Sequence, residues 1–225
     1  MFRIKICGIT NIDDARIAVD AGADAVGLNF FSKSRRFVDR ESALQIAAAI
    51  PAGVTKVGVF VNHDPADIAA AVECIGLDAV QLHGDEPPSL LAKLPKDVQV
   101  IRAHRWGEAG LSPLGTYLQE SRAGGRMPDA VLADAAAGAD FGGSGELADW
   151  ELIQRQRDML SALPLILAGG LTPDNVAAAI AAVRPHGVDV ASGVEREPGR
   201  KDRALVARFI AAARDAFARF DPLSA

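Results

Sequence analysis

A thiol, a carboxyl, two imidazoles and a pair of guanidinium groups fall at, or just beyond, the ends of short apolar runs in this chain. Cys7 closes Arg3–Cys7, Asn29 closes Ala25–Asn29, His83 closes Ala79–His83, His104 closes Val98–His104 and Asp134 closes Ala130–Asp134, while Arg35 and Arg36 follow the second run. If those ends converge, a nucleophilic or basic thiol, a carboxylate, imidazoles and guanidinium groups face one cavity. The C-terminal half of the chain adds three small-residue turns, Gly142-Gly143-Ser144-Gly145, Ala168-Gly169-Gly170-Leu171 and Ala191-Ser192-Gly193-Val194. Glycine lets a backbone amide approach an anion closely, and a short helix starting at Ser192 or Gly193 would aim its positive end at a phosphate. A single Gly-Gly pair could simply end a strand. Three such turns at adjacent corners point instead to an anion site.

Convergence requires a particular set of elements. Thr55–Val61, Leu165–Ala168 and Val188–Ala191 complete eight strand candidates, most of them continuous apolar runs of the kind buried on both faces. Alanine-rich stretches with helical spacing alternate with them near 12–21, 41–50, 65–75, 87–94, 111–122, 149–162, 173–183 and 202–219. Pro65, Pro87 and Pro173 suit first-turn positions, and Thr172-Pro173-Asp174-Asn175 reads as an N-cap followed by proline and an acidic residue. Eight parallel strands with helical crossovers predict an α/β protein, a single (β/α)8 TIM barrel over 1–225 with 221–225 a frayed tail. A doubly wound open sheet would carry a dinucleotide fingerprint early, and none follows the first strand. In the barrel, the three glycine turns come after strands six, seven and eight, the usual place for a phosphate.

Composition narrows the classes further. Apolar residues are 49% of the 225 and aromatics 5%, so the core must rest on Ala, Val, Ile and Leu. A net charge of −5, from 24 basic and 29 acidic residues mixed along the chain, offers no face for a nucleic-acid backbone. No apolar stretch reaches the ~20 residues that cross a bilayer, and Met1–Ile6 lacks the layout of a signal peptide, so a cytoplasmic protein without membrane attachment is expected. The two cysteines, Cys7 and Cys74, are far apart with no Cys/His spacing near them, which predicts neither a disulfide nor a metal site. Cys74, inside a helical stretch, reads as a core residue.

Lys5-Ile6-Cys7-Gly8-Ile9-Thr10 resembles the opening signature of the phosphoribosylanthranilate isomerase family of tryptophan biosynthesis. Gly27-Leu28-Asn29-Phe30, Ser34-Arg35-Arg36-Phe37, Val57–Val61, Gln81-Leu82-His83-Gly84, Asp134, Phe141–Gly145, Ala168–Leu171 and Asp189 to Glu195 are similar to family blocks in the same order, from residue 4 to about 209. The resemblance implies an Amadori rearrangement of N-(5-phosphoribosyl)anthranilate to 1-(2-carboxyphenylamino)-1-deoxyribulose 5-phosphate, with no cofactor and no metal. It implies Cys7 as general base, Asp134 as general acid, Arg36 on the anthranilate carboxylate, and Gly142, Gly143, Ser144, Gly145, Gly169, Gly170, Ser192 and Gly193 around the phosphate. Opening a ribose ring needs a proton delivered to its oxygen, and taking the proton beside the resulting imine needs a base on the opposite wall, which suits these residue types.

Other readings stay open for several positions. Asp134 could cap a strand end, with Asp140 the rival carboxylate, and Arg35 could share the role of Arg36. Asn29, Gln81 and His83 are pocket candidates, although a hydrogen-bonded structural histidine fits His83 equally. Asp189 could orient backbone or phosphate-turn groups, while His63, His104 and His186 read as surface or packing residues. Loop six, Ala135–Asp140, is small and weakly charged, as a lid would be. A small phosphosugar is the expected partner of a monomer or homodimer. Rivals are a histidine-pathway aminoaldose isomerase or another phosphosugar barrel enzyme, and a noncatalytic phosphosugar-binding barrel.

Overall fold

β-Branched and alanine-rich runs form the strands where they were expected, within one or two residues at each end. In the computed structural model, which describes residues 1–106, 112–135, 150–156, 160 and 163–220, the strands are β1 (Ile4–Cys7), β2 (Ala25–Asn29), β3 (Thr55–Phe60), β4 (Ala79–Leu82), β5 (Gln99–Trp106), β6 (Ala130–Ala135), β7 (Leu165–Leu167) and β8 (Gly187–Val190). They pair in parallel in chain order, and β8 pairs back onto β1 with Lys5 opposite Asp189, closing an eight-stranded barrel. Around it run α1 (Ile12–Asp20), α2 (Arg40–Ala48), α3 (Pro65–Ile75), α4 (Ser112–Ala123), α5 (Trp150–Gln156), α6 (Val176–Val183) and α7 (Arg203–Phe220).

Strand alternation sorts the side chains into two cores. Ile4, Ile6, Val131 and Ala133 pack outward among the helices, whereas Ala25, Val57, Ala79, Ile101, Ala130, Leu132 and Ile166 fill the barrel interior. The inward phase continues through Lys5 to Cys7 on β1, through Gln81 toward His83 on β4, and through Leu132 to Asp134 on β6. A period of two thus carries each strand from apolar filling at the bottom to polar chemistry at the mouth.

Side-chain caps start the early helices: Asn11 accepts from the Asp14 amide, Asp39 from Ser42 and Asp64 from Ala66, with Pro65 at the first helical position. Three expectations are corrected. Residues 87–94 form a 3-10 turn, Pro88–Lys93, in place of an α-helix. Prolines 87 and 88 supply no N–H, and Arg126 draws nearby carbonyls away, donating to Leu91 and Leu94 from Nη1 and to Pro95 and Val98 from Nη2 at 2.7–3.0 Å. The helix expected at 173 begins at Val176, because Asn175 turns back to accept from the Thr172 amide (2.8 Å) and donate to the Gly170 carbonyl (2.9 Å). Thr172 is therefore not the cap. Cys74 is exposed, one residue short of the buried Ile75, with Arg40 Nε 3.3 Å from its sulfur. The chain also makes an unforeseen hairpin, β9 (Glu195–Glu197) with β10 (Arg200–Lys201), after β8. Of the helix expected at 149–162, residues 149, 157–159 and 161–162 lie outside the described residues, as does the tail 221–225. No described helix is long and apolar enough to cross a membrane.

Candidate active site

Lys5 and Cys7 share the inward phase of β1. The Lys5 side chain is fully buried, and its Nζ donates to Asp189 Oδ2 and Gln81 Oε1, both at 2.7 Å. Burial works against the charge on this amine, but the Asp189 carboxylate and the Cys7 sulfur more than offset it, so its pKa is raised. Burial also pushes the Cys7 thiol up, despite the opposing charges of Lys5 and Lys201. Burial of the sulfur thus opposes the stabilised thiolate that the base reading requires. Gly27 of β2 gives the sulfur its room: a Cβ there would stand 2.6 Å from Cys7 Sγ and 3.0 Å from Lys5 Cε.

On the facing side, Gln81 Nε2 lies 3.0 Å from His83 Nδ1, and His83 Nε2 lies 3.1 Å from Asp134 Oδ2. Both His83 and Asp134 are largely enclosed, with side chains 15% and 18% exposed. His83 is accordingly a neighbour of the candidate acid and not a remote packing residue. Asp189 has one oxygen on Lys5 and the other buried without a hydrogen-bond partner among the described residues.

Loop two sorts its two arginines. Asn29 accepts from the Phe31 amide and donates to Ser34 Oγ, which accepts from the Arg36 amide, so Asn29 braces this loop from the end of β2. Arg35 is exposed and Arg36 turns inward. Its Nε and Nη2 meet the two carboxylate oxygens of Glu195 at 2.7 Å each, while Lys201 Nζ donates to Glu195 Oε1 at 2.9 Å and to the Ala191 carbonyl at 3.0 Å. The Arg36 stem lies over Gly8, whose φ of +74° suits glycine and whose missing side chain leaves that space open.

The two described glycine turns adjoin each other. Gly169 and Gly170 take φ of +85° and +63°, and Ser192–Val194 forms a single 3-10 turn in the expected place. Gly193 packs so closely on the Leu171 carbonyl that no Cβ could be accommodated. Gly142, Gly143, Ser144 and Gly145 lie outside the described residues, as do Asp140 and the rest of the suspected lid beyond Ala135. No three His, Cys, Asp or Glu side chains gather as a metal site among the described residues.

Lys5, Glu195, Lys201 and Asn175 were not singled out from sequence as site residues. Lys5 did carry a signal, being an ionisable residue on the inward phase of an apolar strand, whereas the partnership of Glu195 with Arg36 spans 159 positions and leaves no local trace.

Comparison with known proteins agrees with this geometry. Residues 4–212 match the family model for N-(5'-phosphoribosyl)anthranilate (PRA) isomerase. The isomerase of that name from Rubrobacter xylanophilus is 43% identical over 216 residues, covering 95% of this chain and 100% of the relative. The crystal structure of phosphoribosyl anthranilate isomerase from Thermotoga maritima superposes with a TM-score of 0.84 at 40% identity, covering 96% of this chain and 100% of that one. A phosphoribosyl anthranilate isomerase structure in complex with reduced 1-(o-carboxyphenylamino)-1-deoxyribulose 5-phosphate gives 0.81 at 40% identity, with the same coverage.

Proposed function

The chain belongs to the N-(5'-phosphoribosyl)anthranilate isomerase family, and we propose that it performs that isomerisation, a step of tryptophan biosynthesis, with Asp134 as acid and Cys7 as base. The observation that carries this division of labour is the inward phase of β1 and β6, which brings a thiol and a carboxyl to the same end of one barrel from different sides of the ring.

Asp134, holding a proton, donates it to the ribose ring oxygen as the C1–O bond breaks, and the amine lone pair forms the C1=N bond of an iminium. Cys7 as thiolate then takes the proton from C2; the C2–H electrons form the C1=C2 bond and the iminium electrons return to nitrogen. The enol so formed gains a proton at C1 and loses one from its C2 hydroxyl to become the ketone. No net oxidation occurs, because C1 is reduced as C2 is oxidised. Because burial holds the thiol up, the substrate complex must favour its ionisation, and the nearby Lys5 and Lys201 charges act in that direction.

Gly169, Gly170, Ser192 and Gly193 hold the phosphate through backbone amides at adjacent corners of the mouth, and the family resemblance assigns the same ligand to Gly142, Gly143, Ser144 and Gly145. Arg36, whose Nε and Nη2 are held by Glu195, offers its remaining guanidinium N–H groups to the substrate carboxylate, and Asn29 keeps its loop in place. The reading takes a small phosphosugar as substrate, involves no nucleic acid, and puts the enzyme in the cytoplasm as a monomer or homodimer. Purified protein should consume phosphoribosylanthranilate, followed as loss of anthranilate fluorescence. Cys7→Ser and Asp134→Asn should suppress turnover by ~10²–10⁴-fold while a reduced product analogue still binds. Tight analogue binding by a wild type that never turns over would make the chain a binding module.

A further inference from the structure

We propose that Gln81 is a positioning residue: it fixes the proton of His83 on Nε2 and thereby aims the acid proton of Asp134 into the barrel mouth, a role that rests on reading Asp134 as the acid. The argument begins at Lys5, whose ammonium donates and cannot accept, so the Gln81 atom 2.7 Å from its Nζ must be the amide oxygen. Gln81 is 1% exposed, and reversing its amide would set an NH2 against a buried ammonium. With the oxygen committed to Lys5, Nε2 of Gln81 can only donate, and it does so to His83 Nδ1 at 3.0 Å.

A ring nitrogen that accepts carries no proton. The proton of a neutral His83 therefore sits on Nε2, 3.1 Å from Asp134 Oδ2. This placement has two consequences for the acid. Nε2–H occupies Oδ2 and cannot itself take a proton from Asp134, so the transferable proton belongs on Oδ1, away from the histidine. Once that proton has gone to the ring oxygen, the same N–H donates to the new carboxylate, an interaction stronger after transfer than before it.

The arrangement amounts to a chain of five side chains across the barrel, Asp189, Lys5, Gln81, His83 and Asp134, with each donor and acceptor role set by the one before it. Its loss should cost kcat about 10- to 100-fold, the worth of one hydrogen bond to a charged group, and should leave KM little changed, since Gln81 reaches the substrate only through others.

Gln81→Glu tests this directly, because it keeps an oxygen for Lys5 and the size of the side chain but puts an acceptor opposite Nδ1. In protein labelled with 15N-histidine, His83 is assigned among the four histidines by its loss in His83→Asn. Wild type is expected to show a bare Nδ1 and a protonated Nε2, and Q81E a protonated Nδ1 together with the fall in kcat. A wild-type His83 with its proton on Nδ1, or with both nitrogens protonated, overturns the proposal whatever the variant does. So does a Q81E enzyme that moves the proton and keeps full kcat. Failure of wild type to consume phosphoribosylanthranilate sinks the functional reading instead, and the nitrogen spectrum still decides the tautomer.

Discussion

Arg36 and Glu195 lie 159 positions apart in sequence and meet as a planar fork, two N–H···O bonds of 2.7 Å each. The carboxylate also serves Lys201, whose side chain is completely enclosed, so one acid is shared between two cations beside the base. Burial alone would raise the Glu195 pKa, but the bonds from Arg36 and Lys201 outweigh it and hold it below its usual value.

Glu195→Gln keeps the shape and removes the charge, leaving Lys201 without its counter-ion. Unfolding free energy near neutral pH should fall by about 3 kcal/mol, the scale of breaking a buried pair, and KM should rise more than kcat falls because the Arg36 fork loses its clamp. A depressed carboxylate contributes stability that is present above its unfolded value and lost as pH falls through the folded one. The gap between wild type and E195Q in urea melts should accordingly be full above about pH 4.5 and close below it. A gap that widens on acidification would contradict the assignment.

The two thiols should separate in reactivity. Cys74 is exposed and Cys7 half-buried with its pKa raised by burial. Iodoacetamide at pH 7 should therefore modify Cys74 first, without loss of activity. In a Cys74→Ser background, alkylation of Cys7 should keep accelerating past pH 9, the ordinary value, and should track inactivation. Peptide mass spectrometry with parallel assays decides it; rapid inactivation at neutral pH, levelling off below 9, would mean a thiol already ionised at rest.

Strand positions were legible because the signal is local. In Ala130–Asp134 or Arg3–Cys7, four or five residues contain both the apolar run and the phase that turns every second side chain inward. Cys7, His83 and Asp134 could thus be placed at one mouth before any pairing was known. The bonds that tune them are not local: Lys5 finds Gln81 across 76 positions and Asp189 across 184, and nothing in either segment announces the partner. Cys74 was misplaced because an alanine-rich helix leaves its buried face ambiguous, and only packing of Ile68 and Ile75 on the barrel decides which side of α3 is inside. The 3-10 turn at Pro88–Lys93 depends on the reach of Arg126 from more than thirty residues away.

Lys5 and Asp189 form a deeply buried ion pair of the site, with side chains 0% and 8% exposed. Asp189→Asn leaves a buried ammonium with weakened compensation, and about 3 kcal/mol of stability should be lost at neutral pH. A raised lysine contributes stability that is fully present below its unfolded value and lost as pH rises through the folded one. Wild type should keep the Lys5 contribution up to about pH 10.5 and lose it only above that, whereas D189N, with its ammonium under-compensated, should begin to narrow the deficit at lower pH. Denaturant midpoints across the alkaline range provide the check, and a deficit that vanishes by pH 8 would show that Lys5 is not held as an ammonium.

Gly27→Ala adds a single methyl group, and the atoms it meets first are Cys7 Sγ at 2.6 Å and Lys5 Cε at 3.0 Å. Both belong to the fully parallel β1–β2 ladder, where Cys7 faces Gly27 in register, so the backbone cannot easily yield and the sulfur must move. Overpacking of this kind costs about 1–3 kcal/mol of stability. The larger effect should fall on chemistry, because a base displaced by even an ångström loses its line to the C2 proton, and losses near 10²-fold accompany such shifts. Stopped-flow fluorescence should therefore show kcat reduced far more than binding of a product analogue, with the same direction of change as Cys7→Ser but smaller. An alanine variant that turns over at the wild-type rate would show either that the thiol has slack this packing does not reveal, or that it is not the base.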